Sequence, residues 1–313
     1  MSLYLGIDTS NYTTSAALYD ADSGEVRSAR RLLPVKSGEK GIRQSDAVFH
    51  HTAALPEMIA ELTRGLSGGV RLTAAGASDK PSNIAGSYMP CFTVGASFVA
   101  SLCALNGMRA YYHSHQHGHI AAALWSARQT ALFDRQFVAF HVSGGTTEAV
   151  LCTPSPLEIF TCERLLYSSD LKAGQAIDRV GVMLGLSFPA GKALDALSLE
   201  SDRVFKIKPS VRDGCPSLSG IQNQCETMFK RGEKPCDIAL FCLKSVSAAL
   251  GAMTAEVRRR YPSLPIVYSG GVTANTMIRK DLSGDGAVFA DPAWSSDNAV
   301  GAAVLAAEKD KRA

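Results

Sequence analysis

The sequence predicts an α/β fold of two duplicated lobes, and three observations carry the prediction. Residues 5–18, Leu5-Gly-Ile-Asp-Thr-Ser-Asn-Tyr-Thr-Thr-Ser-Ala-Ala-Leu18, and residues 139–151, Ala139-Phe-His-Val-Ser-Gly-Gly-Thr-Thr-Glu-Ala-Val-Leu151, both read as strand, small polar turn, strand, so one opening unit occurs twice. Between and beyond them apolar residues recur every three or four positions, as in Leu55, Ile59, Leu62 and Leu66 or Leu240, Leu243, Val246 and Leu250, which draws one apolar stripe along each helix. The composition, 46% hydrophobic and 19% charged with 27 Gly, gives a 313-residue chain enough apolar surface for two cores and excludes disordered and fibrous classes. The repetition alone sets the boundary, giving lobes of residues 1–130 and 131–313.

Along the chain, the first hairpin is followed by a helix expected from near Ala53, with His50 and His51 just before it as cap or core residues. A histidine-rich stretch then leads into a run at 120–125 that reads as helix. The second hairpin follows, with His141 in an alternating strand. Residues 157–216 mix Gly, Pro, Ser and charges and read as short elements around a cleft. The segment 265–275 is a third related element, an apolar strand that breaks at Gly270-Gly271 and opens into a helix. Arg258-Arg-Arg260 closes a helix ahead of Tyr261-Pro262, where cations suit the negative end of the dipole. An Ala-rich helix begins near Ser295-Ser296-Asp297.

Lys plus Arg (32) against Asp plus Glu (29) leaves +3, too little to hold nucleic acid by bulk charge, so a grip on RNA is local or shared with a partner. The eight cysteines form no Cys-x-x-Cys and no framework spacing, and read as reduced, packed thiols. Asp8 interrupts the short apolar run at 3–7, and no window reaches the ~18 uninterrupted apolar residues of a membrane span. A cytoplasmic protein without a membrane partner is expected.

Two features carry chemistry. His113, His115, His117 and His119 are four of seven histidines; on a helix, His115 shares a face with His119 and His113 with His117, so one pair serves one site. Imidazoles at i and i+4 chelate transition metals, although a surface histidine cluster reads the same way. The turn Ser143, Gly144, Gly145, Thr146 and Thr147 lacks Cβ atoms at its centre, which lets backbone N–H groups approach a phosphate; without context it is a hairpin turn. Asp178 reads as a helix charge, Asn275 as an N-cap and Asp297 as a first-turn carboxylate. No Ser/His/Asp or Cys/His arrangement is visible, and the histidine pair lacks the Glu that follows the first His in zinc proteases.

Two hairpin-led lobes resemble the actin, sugar kinase and Hsp70 superfamily, which clamps ATP between duplicated domains. The resemblance narrows with Gly6-Ile-Asp-Thr-Ser10, His115-x-x-x-His119, Val142-Ser-Gly-Gly-Thr146, Gly174-Gln-Ala-Ile-Asp178, Phe188-Pro-Ala-Gly191, Ser219-Gly-Ile221, Ser269-Gly-Gly-Val-Thr-Ala-Asn275 and Ser296-Asp-Asn298. In this order they resemble the tRNA threonylcarbamoyladenosine transferase family (TsaD), long labelled glycoprotease or O-sialoglycoprotein endopeptidase, over nearly the whole chain. The resemblance implies actin-like, ribonuclease H-like lobes with a nucleotide and metal cleft between them. The first lobe would carry the metal-binding histidines and the second the nucleotide turns, with the last helix, from about 296, packing back at the lobe interface. It selects His115 and His119 as metal ligands, completed by Asp297, for one divalent metal, iron or zinc ahead of manganese. It implies ATP or an acyl-adenylate with phosphates on Ser143, Gly144, Gly145 and Thr146, ribose on Asp178, and nucleoside contacts near Gly191, Asp195 and Asn275.

The implied activity is transfer of a carbamoyl-type acyl group from an adenylate to a tRNA adenosine amine, with adenine nucleotide and tRNA as partners and a related actin-like subunit or a homodimer beside them. Carbamoyl transfer to a non-tRNA acceptor and a non-catalytic nucleotide-binding scaffold are the alternatives. The chain departs from the family where Cys-Asp-Glu-Thr becomes Asn11-Tyr12-Thr13-Thr14, which removes the acidic pair, where Thr146 replaces a His, and where His117 replaces a Glu. A variant that does not by itself replace a standard family transferase is therefore expected.

Overall fold

Apolar alternation in the first eighteen residues has to pair with something, and it pairs with itself. In the computed structural model, which describes residues 2–10, 12–34, 42–66, 70–284, 286–294 and 298–313, the elements run β1 (Leu3–Ser10), β2 (Thr13–Asp20), β3 (Val26–Leu32), α1 (Gln44–Thr63), β4 (Ala74–Lys80), α2 (Phe92–Asn106), β5 (Arg109–Ser114), α3 (His115–Ser126), β6 (Phe137–Val142), β7 (Thr147–Ser155), β8 (Ile159–Tyr167), α4 (Ala173–Met183), α5 (Gly191–Ser198), β9 (Val211–Arg212), β10 (Cys215–Pro216), α6 (Ser219–Lys230), α7 (Pro235–Arg260), β11 (Ile266–Ser269), α8 (Thr276–Leu282), β12 (Ala287–Phe289) and α9 (Asn298–Arg312).

Two units form. The first comprises residues 1–134, 154–160 and 296–313, the second residues 135–153 and 161–295. The first holds a sheet ordered β3-β2-β1-β4-β5 and the second a sheet ordered β12-β11-β6-β7-β8. Read from its other edge, the second order repeats the first. In both sheets an antiparallel hairpin, β1–β2 or β6–β7, adjoins parallel strands, β4 and β5 or β11 and β12. This is the duplication that the two turn-centred segments predict, and each sheet carries helices on its faces as parallel strands require.

In the first unit, α9 covers the sheet with an unbroken buried run from Asn298 to Ala307. The approach is so close that a Cβ at Gly6 would lie 2.0 Å from the Ala299 carbonyl oxygen. A Cβ at Gly301 would lie 1.8 Å from the Gly118 carbonyl oxygen, so α3 and α9 cross through bare backbone. In the second unit α7 is the central helix. It is long and apolar enough to cross a membrane by length and composition, but Ile238, Leu243, Val246, Leu250 and Met253 are in that unit's core.

Helix α1 begins at Gln44, not near Ala53. Its buried stripe runs Ala47, His51, Ala54 and Leu55, Met58, Leu62; an alanine and a histidine occupy the first two turns, so the apolar period fades there although the helix does not. His51 is fully buried, with Nδ1 2.8 Å from the Thr14 hydroxyl. Burial pushes its imidazole down to about 4, below the ~6.5 of an unfolded histidine. As pH falls from 6.5 to 4 the unfolded chain takes up a proton that the native chain refuses, so stability is lost across that window, by about 3 kcal/mol at most. His51→Gln retains a hydrogen-bonding group for Thr14 and has no proton to gain. Its loss of melting temperature between pH 7 and 4 should be smaller than the wild type's; equal acid limbs would rule His51 out as a source.

Candidate functional site

The first candidate centre lies where β1, α3 and α9 meet within the first unit. β5 ends at Ser114, whose hydroxyl accepts the His117 N–H and caps α3. The helix therefore starts at His115, and His113 belongs to the strand, so the expected helical pairing of His113 with His117 does not form. His115 and His119 do share a face, with ring centroids 4.4 Å apart and Nε2 atoms 3.1 Å apart. Two ligands each about 2.1 Å from one ion and separated in this way subtend roughly a right angle, which suits two adjacent positions of a transition metal. The donor set fits such an ion.

The imidazole of His115 has its other nitrogen, Nδ1, 3.0 Å from Asp8 Oδ1. Asp8 is 1% exposed and stands on β1. Burial works against its charge, but the charge and hydrogen bond of His115 outweigh it and hold the carboxyl below the usual range. The Asn298 amide donates to the same Asp8 oxygen at 3.0 Å and to the His115 carbonyl at 3.1 Å, and abuts His115 Nδ1. Asn298 opens α9, whose packing on α3 brings it there. Asp297, the expected third ligand, lies outside the described residues, and among these no group of three His, Cys, Asp or Glu side chains is placed to hold a metal ion.

His117 is not a surface histidine. It is buried, with Nδ1 2.7 Å from the Ser114 hydroxyl and Nε2 2.7 Å from the Phe160 carbonyl. Both nitrogens are held, so it does not stand in for the acid it replaces. His113 is buried as well, and burial pushes its imidazole down to about 3. Tyr12 and Thr13 sit at the β1–β2 turn, Tyr12 exposed and Thr13 half-buried.

The second candidate centre is built within the second unit. The β6–β7 turn closes on itself: the Ser143 hydroxyl accepts the N–H groups of Gly145 (3.3 Å) and Thr146 (3.1 Å), and Ser143 N donates to the Thr146 carbonyl at 2.7 Å. A Cβ at Gly144 or Gly145 would meet nothing within 4 Å, so the turn faces open space. The N-terminus of α4 abuts it, with Gly174 N 3.1 Å from the Ser143 carbonyl and room for no side chain at Gly174, where a Cβ would lie 2.6 Å from Gly144 N. A helix N-terminus beside a glycine turn favours an anion.

Asp178, one turn further along α4, accepts the Ala190 N–H at 2.8 Å. Burial lifts its carboxyl above the ordinary value against the pull of that hydrogen bond. Ala190 leads into α5, where Gly191 and Asp195 stand. Asp195 Oδ2 receives the Thr276 hydroxyl at 3.4 Å, and its Oδ1 is buried without a hydrogen-bond partner among the described residues. Asn275 is the N-cap of α8, its Oδ1 accepting Ile278 N–H at 3.0 Å. Contacts thus run from the 143–147 turn to α4, from α4 to the start of α5, and from α5 to the start of α8.

A family model described as TsaD, tRNA N6-adenosine threonylcarbamoyltransferase, matches residues 34–304. The chain belongs to that family. Curated relatives bear the same description: the protein of Enterococcus faecalis is 28% identical over 90% of this chain and 80% of its own length, and that of Dehalococcoides mccartyi is 27% identical over 89% and 84%. Among solved structures, a ROK family glucokinase from Streptomyces griseus superposes with a TM-score of 0.54 at 15% identity, covering 98% of this chain and all of that one. That likeness shows the fold, the actin-like, sugar kinase architecture of two α/β units.

Sequence reasoning about the TsaD family supplied His115, His119 and the glycine turns, but missed Asp8, Asn298 and His141. His141 lies beside the 143–147 turn, with Nε2 3.2 Å from the Ser143 hydroxyl and Nδ1 3.4 Å from that of Ser269. The signal for Asp8 was present as a charge inside an apolar strand, which costs several kcal/mol to bury and so demands a partner.

Proposed function

We propose that this member of the TsaD family transfers a threonylcarbamoyl group from an adenylate to the N6 amine of an adenosine in tRNA, with a divalent metal and an adenine nucleotide bound. The observation that carries the reading is the pair of Nε2 atoms of His115 and His119, 3.1 Å apart, within a chain matched by the family over residues 34–304. His115 and His119 would hold the metal with Asp297. When bound, such an ion acts as a Lewis acid toward a carbonyl or phosphoryl oxygen.

The chain's own groups do the rest. The 143–147 turn, open at Gly144 and Gly145, and the positive end of the α4 dipole form the phosphate side, Asp178 offers a carboxylate oxygen to ribose hydroxyls, and Asp195 offers its unpartnered Oδ1 to the nucleoside. Together they fix the leaving group, the positioning term that such transfer depends on. The family's acidic pair is replaced by Tyr12 and Thr13, so neither position supplies a carboxylate as general base. A tRNA substrate places the work in the cytoplasm, and a related subunit or a second copy is the partner expected from the modest net charge.

Nucleotide-resolved mass analysis of tRNA from cells lacking this gene tests the reading: threonylcarbamoyladenosine should fall, and unchanged levels would remove tRNA as the acceptor. The nucleotide half has its own test. Asp178→Ala should weaken adenine nucleotide binding about 10- to 100-fold in calorimetric titration, the worth of a hydrogen bond to a charged group. Unchanged affinity would place the ribose elsewhere.

A further inference from the structure

We infer that Asp8 is a positioning residue for His115, accepting the hydrogen of Nδ1 so that the ring presents Nε2, and Nε2 alone, as a metal ligand. The inference rests on the proposed metal reading and names the residue that makes His115 competent for it. Three facts support it. Asp8 is 1% exposed, and its one charged neighbour within ion-pair distance among the described residues is His115, with Oδ1 3.0 Å from Nδ1. A buried carboxylate without Lys or Arg is expensive unless hydrogen-bond donors surround it. Those donors are present: His115 Nδ1 and the Asn298 amide at Oδ1, and the Ser10 N–H at Oδ2, 3.3 Å away.

The second fact is direction. A neutral imidazole carries one N–H, and the nitrogen opposite it keeps the lone pair. With Nδ1 facing a carboxylate oxygen, the lone pair falls on Nε2, the atom that faces His119 Nε2. The third is rigidity. The Asn298 amide ties the Asp8 carboxylate to the His115 carbonyl, and the Phe92 ring packs 5.8 Å from the imidazole, so the ring has little freedom to turn. A structural role alone would be served by a neutral side chain in β1. A carboxylate adds polarisation of the ring toward the metal side, as outer carboxylates do behind metal-bound histidines.

The test uses the full chain. Cobalt(II) or zinc affinity is measured by competition with a chromophoric chelator for wild type, Asp8→Asn and Asp8→Glu, with metal-free melting temperatures alongside. The tautomer of His115 in metal-free wild type is read from long-range ¹⁵N–¹H correlation spectra above pH 8. Asp8→Asn should raise the metal Kd about 10- to 100-fold with the metal-free melting temperature retained, Asp8→Glu should restore part of the loss, and wild-type His115 should be the Nδ1–H tautomer. Equal Kd values for wild type and a folded Asp8→Asn would overturn the inference and leave the metal reading standing. An Nε2–H tautomer in wild-type His115 would overturn it whatever the variants do. A folded wild type that takes up neither metal, yet shows the Nδ1–H tautomer, would overturn the metal reading instead and with it the purpose assigned to Asp8.

Discussion

In the His115→Ala/His119→Ala double variant, metal content after dialysis should fall from about one equivalent per chain to background, and transferase activity should fall at least 1,000-fold. The two imidazoles contribute the pair of Nε2 donors at 3.1 Å; without them the site retains at most carboxylate oxygens, which do not hold a transition metal against dialysis. Lewis-acid stabilisation is worth several kcal/mol, and each 1.4 kcal/mol is tenfold in rate. Stability should fall as well, because removing His115 leaves the buried Asp8 carboxylate without its charged neighbour, so the folded state of the variant is checked by its melting temperature. Metal analysis of the purified variant checks this, and wild-type stoichiometry in a folded double variant would remove these histidines from the site.

The second large effect is expected at a position with no chemistry. Gly301→Ala places a methyl group 1.8 Å from the Gly118 carbonyl oxygen, a backbone atom that cannot rotate away. The helices must part, and overpacking of this kind costs on the order of 3 kcal/mol, a fall of roughly 6–12 °C in melting temperature. Metal affinity should fall with it, because Asn298, one turn earlier in α9, touches both Asp8 and His115. Gly251→Ala in α7 is the control: its Cβ would meet nothing within 4 Å, so replacing a mid-helix glycine should stabilise by up to about 1 kcal/mol. Calorimetric melting of both variants checks the pair. A wild-type melting temperature for Gly301→Ala would mean that α3 and α9 do not cross through Gly118 and Gly301.

How much of this was legible in the sequence depended on the range of the interaction. The hairpins showed because a strand's alternation and its turn lie within a dozen residues, and the His115 and His119 pair showed because a helix fixes the relation of i to i+4. The duplication showed for the same reason, as two copies of a short pattern. Asp8 and Asn298 did not, since their bonds to His115 and to each other span 107 to 290 residues and leave no periodic trace. The start of α1 was hidden because Ala47 and His51 fill its buried stripe with a small and a polar side chain. The burial of His117 was not legible, because the partners that match its two nitrogens are a cap hydroxyl and a carbonyl 43 residues away. Asn275 read as a cap or a ligand, and its Oδ1 does accept the Ile278 N–H as a cap, which leaves the ligand reading open.

The placement of α9 sets an order of events during synthesis. Its buried run from Asn298 to Ala307 closes a sheet whose strands are complete by Ser114. At about 5–20 residues per second, the roughly 160 residues from Asp134 to Asn298 take the ribosome on the order of 10–30 s. During that interval the nascent first unit presents an apolar sheet face, and the Asp8 and His115 pair lacks the amide that ties it down. The second unit, continuous apart from the 154–160 excursion, has emerged by then and can pack first. The nascent chain should therefore bind chaperones through its earliest-made strands, and metal uptake should come after the second unit's folding although its histidines are made before it.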